Sequence, residues 1–284
     1  TITRNHTSIF LKYKNSNILI DCGEGTQRQI RKAKINPCKI TDLLITHFHG
    51  DHVFGLPGLL QTLYNNEYNK TLNIYGPKGT KELIKKILEF TGAKIKINFK
   101  EVSGEFIDNP YFKITALALE HDIPCNGYMF EEKDRLRINK NKLKKYIKRY
   151  KISGPQIGLL AKKRNVKIKN KIIRWKDFTY LEKGRKISFV LDTKMCNNLN
   201  KLIKNSDLAI IESSFLEEEK KLAIKYKHLT LEEATKAAKK EKVKQLFLTH
   251  ISQRYEFKEE YLLKKARKIF PKTKIAKDLM TLEI

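Results

Sequence analysis

The sequence predicts a layered α/β fold, and three observations carry that expectation. Short strands come first, strand and helix then alternate, and strands return, a mixture that suits neither a helical bundle nor an all-β sandwich. The predicted strands end again and again in an acid or a histidine, at Asp21, His47, His121, Asp192, Glu212 and His250. Ligand sites of open α/β sheets lie outside such strand ends. Finally, Thr46-His47-Phe48-His49-Gly50-Asp51-His52 places three histidines and an aspartate directly after the apolar run Leu43-Leu44-Ile45. Histidine and carboxylate are the ligands of zinc and similar ions, and a hydrophobic core has no use for such a cluster.

Residues 8–13 and 17–21 read as two strands joined by the polar turn Lys14-Asn15-Ser16. The glycine-bearing turn Asp21-Cys22-Gly23-Glu24-Gly25-Thr26 follows, with Thr26 expected to cap a helix running to about residue 34. Residues 43–46 form a buried strand that delivers the histidine cluster, and Gly55-Leu56-Pro57-Gly58 opens the next helix. A strand at 70–75, an amphipathic helix at 79–90, and strands at 94–102, 111–119 and 127–131 complete the first half. Residues 133–186 differ in character: 140–151 and 162–176 are dense in Lys and Arg around Ile152-Ser153-Gly154-Pro155, which predicts an inserted, protruding basic arm. Strands are expected at 186–191, 207–211 and 243–248. Thr230-Leu231-Glu232-Glu233 has the form of a capping box before a helix to about residue 240. A last helix is expected at 259–270 and a short edge strand at 281–284.

With 284 residues, 40% of them apolar, the chain can bury a sizeable core. No apolar run approaches the ~18 residues of a membrane span. The opening Thr1-Ile2-Thr3-Arg4-Asn5 has neither a signal-like apolar core nor an initiating methionine, so the natural start is expected to precede it. Lys and Arg total 59 against 31 Asp and Glu, a formal charge of +28 that favours a polyanionic partner. Cys22, Cys38, Cys125 and Cys196 form no Cys-x-x-Cys pair, the usage of a reducing compartment such as the cytoplasm.

His47, His49, Asp51, His52, His121, Asp192 and His250 are candidate ligands. A catalytic zinc takes about three protein ligands and leaves one position open. Seven ligands therefore suit two metals, with a carboxylate, Asp192, between them. Six of the seven histidines, all but His6, fall at strand ends, in the cluster or in the His228 loop.

These residues carry a family resemblance. The run His47-x-His49-x-Asp51-His52 is the His-x-His-x-Asp-His motif of metallo-β-lactamase-fold hydrolases, and its continuation Val53-Phe54-Gly55-Leu56-Pro57-Gly58 resembles ribonuclease Z, the endonuclease that trims precursor tRNA at its 3′ end. The turn Asp21-Cys22-Gly23-Glu24-Gly25-Thr26-Gln27, Ile74-Tyr75-Gly76-Pro77, Leu119-Glu120-His121, Asp192-Thr193 and Thr249-His250-Ile251-Ser252-Gln253-Arg254 match the family in order along nearly the whole chain. The resemblance implies a single αβ/βα four-layer metallo-β-lactamase domain over 1–284, whose first strand would precede Thr1. It implies zinc, two ions per subunit: His47, His49 and His121 on one, Asp51, His52 and His250 on the other, and Asp192 between. Asp51 would orient or deprotonate the attacking water. His228 would protonate the leaving 3′ oxygen, oriented by Glu212. Gly154-Pro155 and the following Lys162 and Lys163 resemble the arm that holds tRNA in the family's homodimers, and Arg254 is a candidate phosphate contact. The family's Pro-x-Lys-x-Arg-Asn motif survives here as Ile2-Thr3-Arg4-Asn5, with Ile2 where Lys often stands. The expected activity is a di-zinc endoribonuclease that leaves a tRNA 3′-hydroxyl and a trailer 5′-phosphate. Another hydrolase of the same fold would have no use for the basic arm, and a non-catalytic RNA-binding protein would have no use for Glu212 and His228.

Overall fold

The computed structural model describes residues 1–284. The chain divides into two units, residues 1–131 with 186–284, and residues 132–185.

The first unit starts with strands β1 (Ile9–Tyr13), β2 (Ser16–Ile20), β3 (Asp42–Leu44), β4 (Thr71–Gly76) and β5 (Lys96–Glu101), which form one sheet in that order. β1 and β2 are an antiparallel hairpin; β2 to β5 run parallel. Between them come helices α1 (Thr26–Lys32), α2 (Gly50–Val53), α3 (Leu56–Asn65) and α4 (Thr80–Thr91). The chain continues into β6 (Gly104–Asp108), β7 (Phe112–Leu119) and β8 (Cys125–Glu132). The second unit then holds β9 (Arg135–Ile138), α5 (Lys140–Tyr150), α6 (Gly154–Ala161), β10 (Val166–Ile168), β11 (Lys171–Ile173) and β12 (Thr179–Glu182). Back in the first unit follow β13 (Lys186–Val190), α7 (Asn197–Ile203), β14 (Leu208–Glu212), α8 (Lys220–Lys225), α9 (Leu231–Lys240), β15 (Leu246–Thr249), α10 (Glu259–Ile269) and β16 (Thr273–Ile275). The second sheet has the order β16-β15-β14-β13-β8-β7-β6, with β13 to β16 parallel and β8 antiparallel to β13.

Alternation along the strands builds four layers, because successive side chains leave a sheet on opposite faces. On β2, Ile18 and Ile20 join Leu44, Phe112, Tyr128, Phe130, Phe189 and Phe247 in a core between the two sheets. Their neighbours Leu19 and Leu43 face the other way, among Leu56, Leu59, Leu60 and Leu63 of α3 and Ile84 and Ile87 of α4. On the far side of the second sheet, Val190, Ile211 and Leu248 pack with Leu199, Leu202, Ala234, Ala238, Leu262 and Ala266 of α7, α9 and α10. No helix is long and apolar enough to cross a membrane.

The second unit has its own core of Ile152, Leu160, Val166, Ile173 and Phe178, joined by Leu143, Tyr146 and Trp175. β9 and β12 pair antiparallel, and β10 and β11 form a hairpin. Ser153 and Gln156 make a reciprocal capping box at the start of α6, with Pro155 in its first turn.

Three local expectations fail. Gly25, not Thr26, caps α1: it stands at φ 79°, and the Thr26 hydroxyl turns back to donate to the Gly23 carbonyl at 2.6 Å. Residues 281–284 are not a strand; the sheet edge is β16, where Thr273 and Ile275 are buried. The third strand of the second half is Leu246–Thr249, because Val243 belongs to the turn after α9.

The turn 21–25 is laced onto the segment after the histidine cluster. Cys22 N donates to the His52 carbonyl and Gly55 N to the Cys22 carbonyl, both at 2.8 Å. A Cβ on Gly23 would collide with the Asp51 carbonyl and the His6 side chain, and one on Gly55 with the Gly23 and Cys22 carbonyls. Gly23→Ala is expected to cost about 1–3 kcal/mol in chemical denaturation, whereas Gly154→Ala, which meets open space, should change stability by less than about 1 kcal/mol.

Candidate metal centre

The predicted site residues that end strands of both sheets meet at one place in the first unit. His47 follows β3, Asp51 and His52 lie on α2, His121 follows β7, Asp192 follows β13, and His250 follows β15. Two sets of ligand atoms, His47, His49, His121 and Asp192, and Asp51, His52, Asp192 and His250, each lie within 4.8 Å of one another and share Asp192. Around that shared carboxylate, Oδ2 lies 3.6 Å from His47 Nε2 and 3.5 Å from His52 Nε2, and Oδ1 lies 3.4 Å from His250 Nε2.

The outer ring nitrogens decide what the inner ones are. His52 Nδ1 donates to Asp21 Oδ2 at 2.6 Å, His121 Nδ1 to the Lys227 carbonyl at 3.2 Å, and His250 Nδ1 meets Ser214 Oγ at 2.8 Å. A neutral imidazole has one donor and one acceptor, so with these outer bonds the inner Nε2 atoms offer lone pairs whenever the rings are neutral. His121 Nε2 then stands 3.2 Å from His49 Nδ1, two nitrogens converging with no carboxylate between them. The buried His47 Nε2, His52 Nε2 and Asp192 Oδ1 have no hydrogen-bond partner at all. Orphaned buried polar atoms are costly, and three of them aimed at one another are satisfied by cations. The residues fit a metal centre, with two donor sets that share Asp192.

Charge agrees. Burial, followed by the neighbouring His52, pushes His47 down to about 2, so it stays a neutral ligand. Burial also disfavours charge on His52 and His250, but Asp21 and Asp192 outweigh it at the first, which is raised well above 6.5, and Asp192 and Asp51 at the second, which rises to about 9. Asp51 and Asp192, despite burial, are held well below the usual carboxylate range by the same histidines. Without metal the cluster keeps its acids ionised and stores protons on His52 and His250.

Beside it lies a second constellation. Glu212, wholly buried at the end of β14, accepts from His228 Nδ1 and Thr193 N at 2.9 Å through Oε1, and from the Ser214 hydroxyl at 2.8 Å through Oε2. Burial lowers the His228 pKa, but the bond to Glu212 and its charge overcome this and raise it above 6.5. With its proton committed to Glu212, Ser214 Oγ accepts from His250, so one carboxylate holds His228 directly and His250 through one hydroxyl. The contacts of Ser214, Thr193 and Lys227 arise only across the fold, and Asp21, which the sequence places at a strand end and in the turn 21–27, holds the His52 ring. Arg254 is paired with Glu219 at 3.1 Å and lies over the Phe215 ring. Arg4 is likewise held by Glu259 and the Ala276 carbonyl. In the second unit, Gly154 and Pro155 open α6 while Lys162 and Lys163 are exposed just beyond its end.

Known proteins resemble this chain in sequence as well as in shape. The ribonuclease Z of Ligilactobacillus salivarius is 41% identical over 278 residues, 94% of this chain and 86% of that one. The chain belongs to the ribonuclease Z family. With that membership comes its class of chemistry, an endoribonuclease and hence a phosphodiester hydrolase. A family model described as Anti-Pycsar protein Apyc1 also matches, over residues 1–260. Among solved structures, the short form of human tRNase Z superposes with a TM-score of 0.69 at 24% identity, covering 100% of this chain and 94% of its own. A metallo-β-lactamase fold protein from Bacillus subtilis superposes at 0.67 and 18% identity, covering 96% and 90%. The four layers of this chain are that metallo-β-lactamase fold.

The protons on His52 and His250 make metal uptake pH-dependent. In the metal-free protein the raised His250 contributes stability that is fully present below 6.5 and lost as pH rises through about 9. Bound metal acts with the opposite sign, since it must displace that proton. Zinc at a hundred times its Kd is expected to add about 2.7 kcal/mol, and its stabilising increment should grow as pH rises from 6.5 toward about 9. Thermal denaturation with and without zinc across that range measures both trends.

Proposed function

We propose that this protein is a two-zinc endoribonuclease that removes the 3′ trailer from precursor tRNA, leaving a 3′-hydroxyl on the tRNA and a 5′-phosphate on the trailer. The observation that carries this reading is the pair of ligand sets sharing Asp192, with the Glu212–His228 pair alongside them. His47, His49 and His121 would hold one ion and Asp51, His52 and His250 the other, with Asp192 shared between the two sets. When bound, the ions supply Lewis acidity toward the scissile phosphate and the attacking water.

The chain's own residues do the rest. Asp51, kept ionised by His52 and His250, orients or deprotonates the water as the oxygen attacks phosphorus. The bond from phosphorus to the 3′ oxygen breaks, and that oxygen needs a proton. His228 supplies it: Glu212 binds Nδ1, which leaves the Nε2 proton for the leaving group, and the raised pKa keeps that proton in place near neutrality. Glu212 itself is anchored by Thr193 N and Ser214, so the imidazole cannot rotate away.

The basic second unit supports a structured RNA as substrate. Between Lys140 and Tyr150 it carries lysines and Arg149 with no acid, the pattern of a phosphate-backbone contact. Gly154, Pro155, Lys162 and Lys163 belong to this surface. The reading extends to a cytoplasmic homodimer in which one subunit's arm presents the tRNA to its partner's metal site.

His49→Ala or Asp51→Ala is expected to abolish cleavage of a labelled precursor tRNA while filter binding of the RNA persists. His228→Ala should keep its zinc and lose about 10²–10⁴-fold in single-turnover rate. Replacing the leaving 3′ oxygen by sulfur, a leaving group that needs no proton, should restore most of that loss; equal rates for wild type and His228→Ala on the natural RNA would remove the acid from the mechanism.

Changing Lys144, Lys145 and Lys148 together to Gln should weaken RNA binding. The salt dependence should flatten by about one unit of log–log slope for each phosphate that is no longer neutralised. The single-turnover rate at saturating RNA should fall far less than the affinity.

A further inference from the structure

The loop that carries His228 is tied to the loop that carries His121 by a single residue. Lys227 uses both its backbone and its side chain for this. Its carbonyl accepts from His121 Nδ1 at 3.2 Å, and its ammonium returns to donate to the His121 carbonyl at 3.3 Å. The same ammonium pairs with Asp122 at 3.0 Å. The contact is therefore a closed clasp, with each loop giving a donor and an acceptor to the other.

Lys227 holds a left-handed backbone conformation, φ 52°, that a non-glycine residue adopts at a cost. The two amides around it are already used in the turn that ends α8, Lys227 N to the Ile224 carbonyl at 3.2 Å and His228 N to the Ala223 carbonyl at 2.9 Å. That conformation is what aims the Lys227 carbonyl at His121 while the next residue meets Glu212 at 2.9 Å. The rings of His121 and His228 consequently lie 5.1 Å apart. The Lys227 and Asp122 side chains are 39% and 48% exposed, so the ion pair adds little stability. Its effect is on geometry.

We propose that Lys227 is a positioning residue that sets the metal ligand His121 and the acid His228 in one arrangement, so that the metal centre and the proton donor are correctly placed together. This rests on the roles proposed for His121 and His228 in RNA cleavage. With the clasp closed, the His121 tautomer is fixed by the Lys227 carbonyl, and that carbonyl is held in place by the Lys227 ammonium on the opposite loop. Removing only the ammonium should loosen both ends.

The test compares Lys227→Met, which keeps the length of the stem without the charge, with Lys227→Arg, which keeps a cation. Three quantities are measured: zinc affinity by competition with a chromogenic chelator, single-turnover cleavage at saturating precursor tRNA, and RNA binding. For Lys227→Met, zinc affinity and cleavage rate are each expected to fall about tenfold, the lower end of what partners of metal ligands contribute, with RNA affinity unchanged. Lys227→Arg should recover most of both. Wild-type zinc affinity and rate in Lys227→Met would overturn the proposal. So would a loss of RNA affinity with the saturated rate intact, which would make Lys227 a phosphate contact instead. If the wild-type protein leaves precursor tRNA uncut, the tRNA reading fails by itself, and the zinc competition still decides whether Lys227 positions His121.

Discussion

A buried carboxylate held by three donors sits beneath the histidine cluster. Asp21 has no exposed surface, and its oxygens accept from Thr46 N and the Thr46 hydroxyl, both at 2.7 Å, and from His52 Nδ1 at 2.6 Å. An ionised carboxylate without partners would cost several kcal/mol in such a place; with three donors it becomes the joint that fixes the end of β3 to the end of β2. Its backbone stands at φ 58°, which turns the chain sharply so that Gly23 can pass under Asp51. Removing this acid would free the His52 ring, leave Thr46 N buried without an acceptor, and release the histidine cluster from the sheet.

Glu212 performs the matching task from the second sheet. It too has no exposed surface, and it too spends its oxygens on donors that shape a histidine environment: His228 directly, His250 through Ser214, and the Asp192-Thr193 turn through Thr193 N. The two acids share a logic. Each lies behind the histidines and holds an outer nitrogen or its intermediary: Asp21 thereby aims the inner nitrogen of His52, and Glu212 those of His228 and His250. The acids at the centre are then offset by protons on His52 and His250 or by cations, so metal uptake and proton release are linked.

Much of this is legible in the sequence because strand periodicity and strand ends are local properties. The run before His47 has to be a buried strand, and Asp192 and His250 follow apolar runs of the same kind. What escapes is set by contacts across the fold. Ser214 and Lys227 are ordinary polar residues in sequence; they acquire roles because parallel strands bring residue 214 beside 250 and a turn brings 227 beside 121. Thr26 has the chemistry of a helix cap, but with Gly25 free to take the left-handed position its hydroxyl bonds backward to Gly23. The hairpin of β10 and β11 is hidden by lysines, which satisfy strand and helix patterns alike when one face is solvated. The final edge strand lies earlier than expected, because Thr273 and Ile275 offer only two buried side chains to announce it.

The distribution of charge separates holding from cutting. In the first unit Lys194 pairs with Glu120, Lys227 with Asp122, Arg254 with Glu219, and Lys265 with Glu218 and Glu232. Along α5 no acid offsets the lysines. Under the function proposed above, the unit that carries α5 binds the RNA alike before and during the reaction. Such uniform binding lowers the concentration of RNA required without accelerating the chemical step. Under the same proposal, acceleration comes from groups that engage charge as it moves, the ionised Asp51 on the attacking side and the protonated His228 on the leaving side. A free lysine at the centre would instead compete for the phosphate and stabilise the bound substrate as much as the transition state.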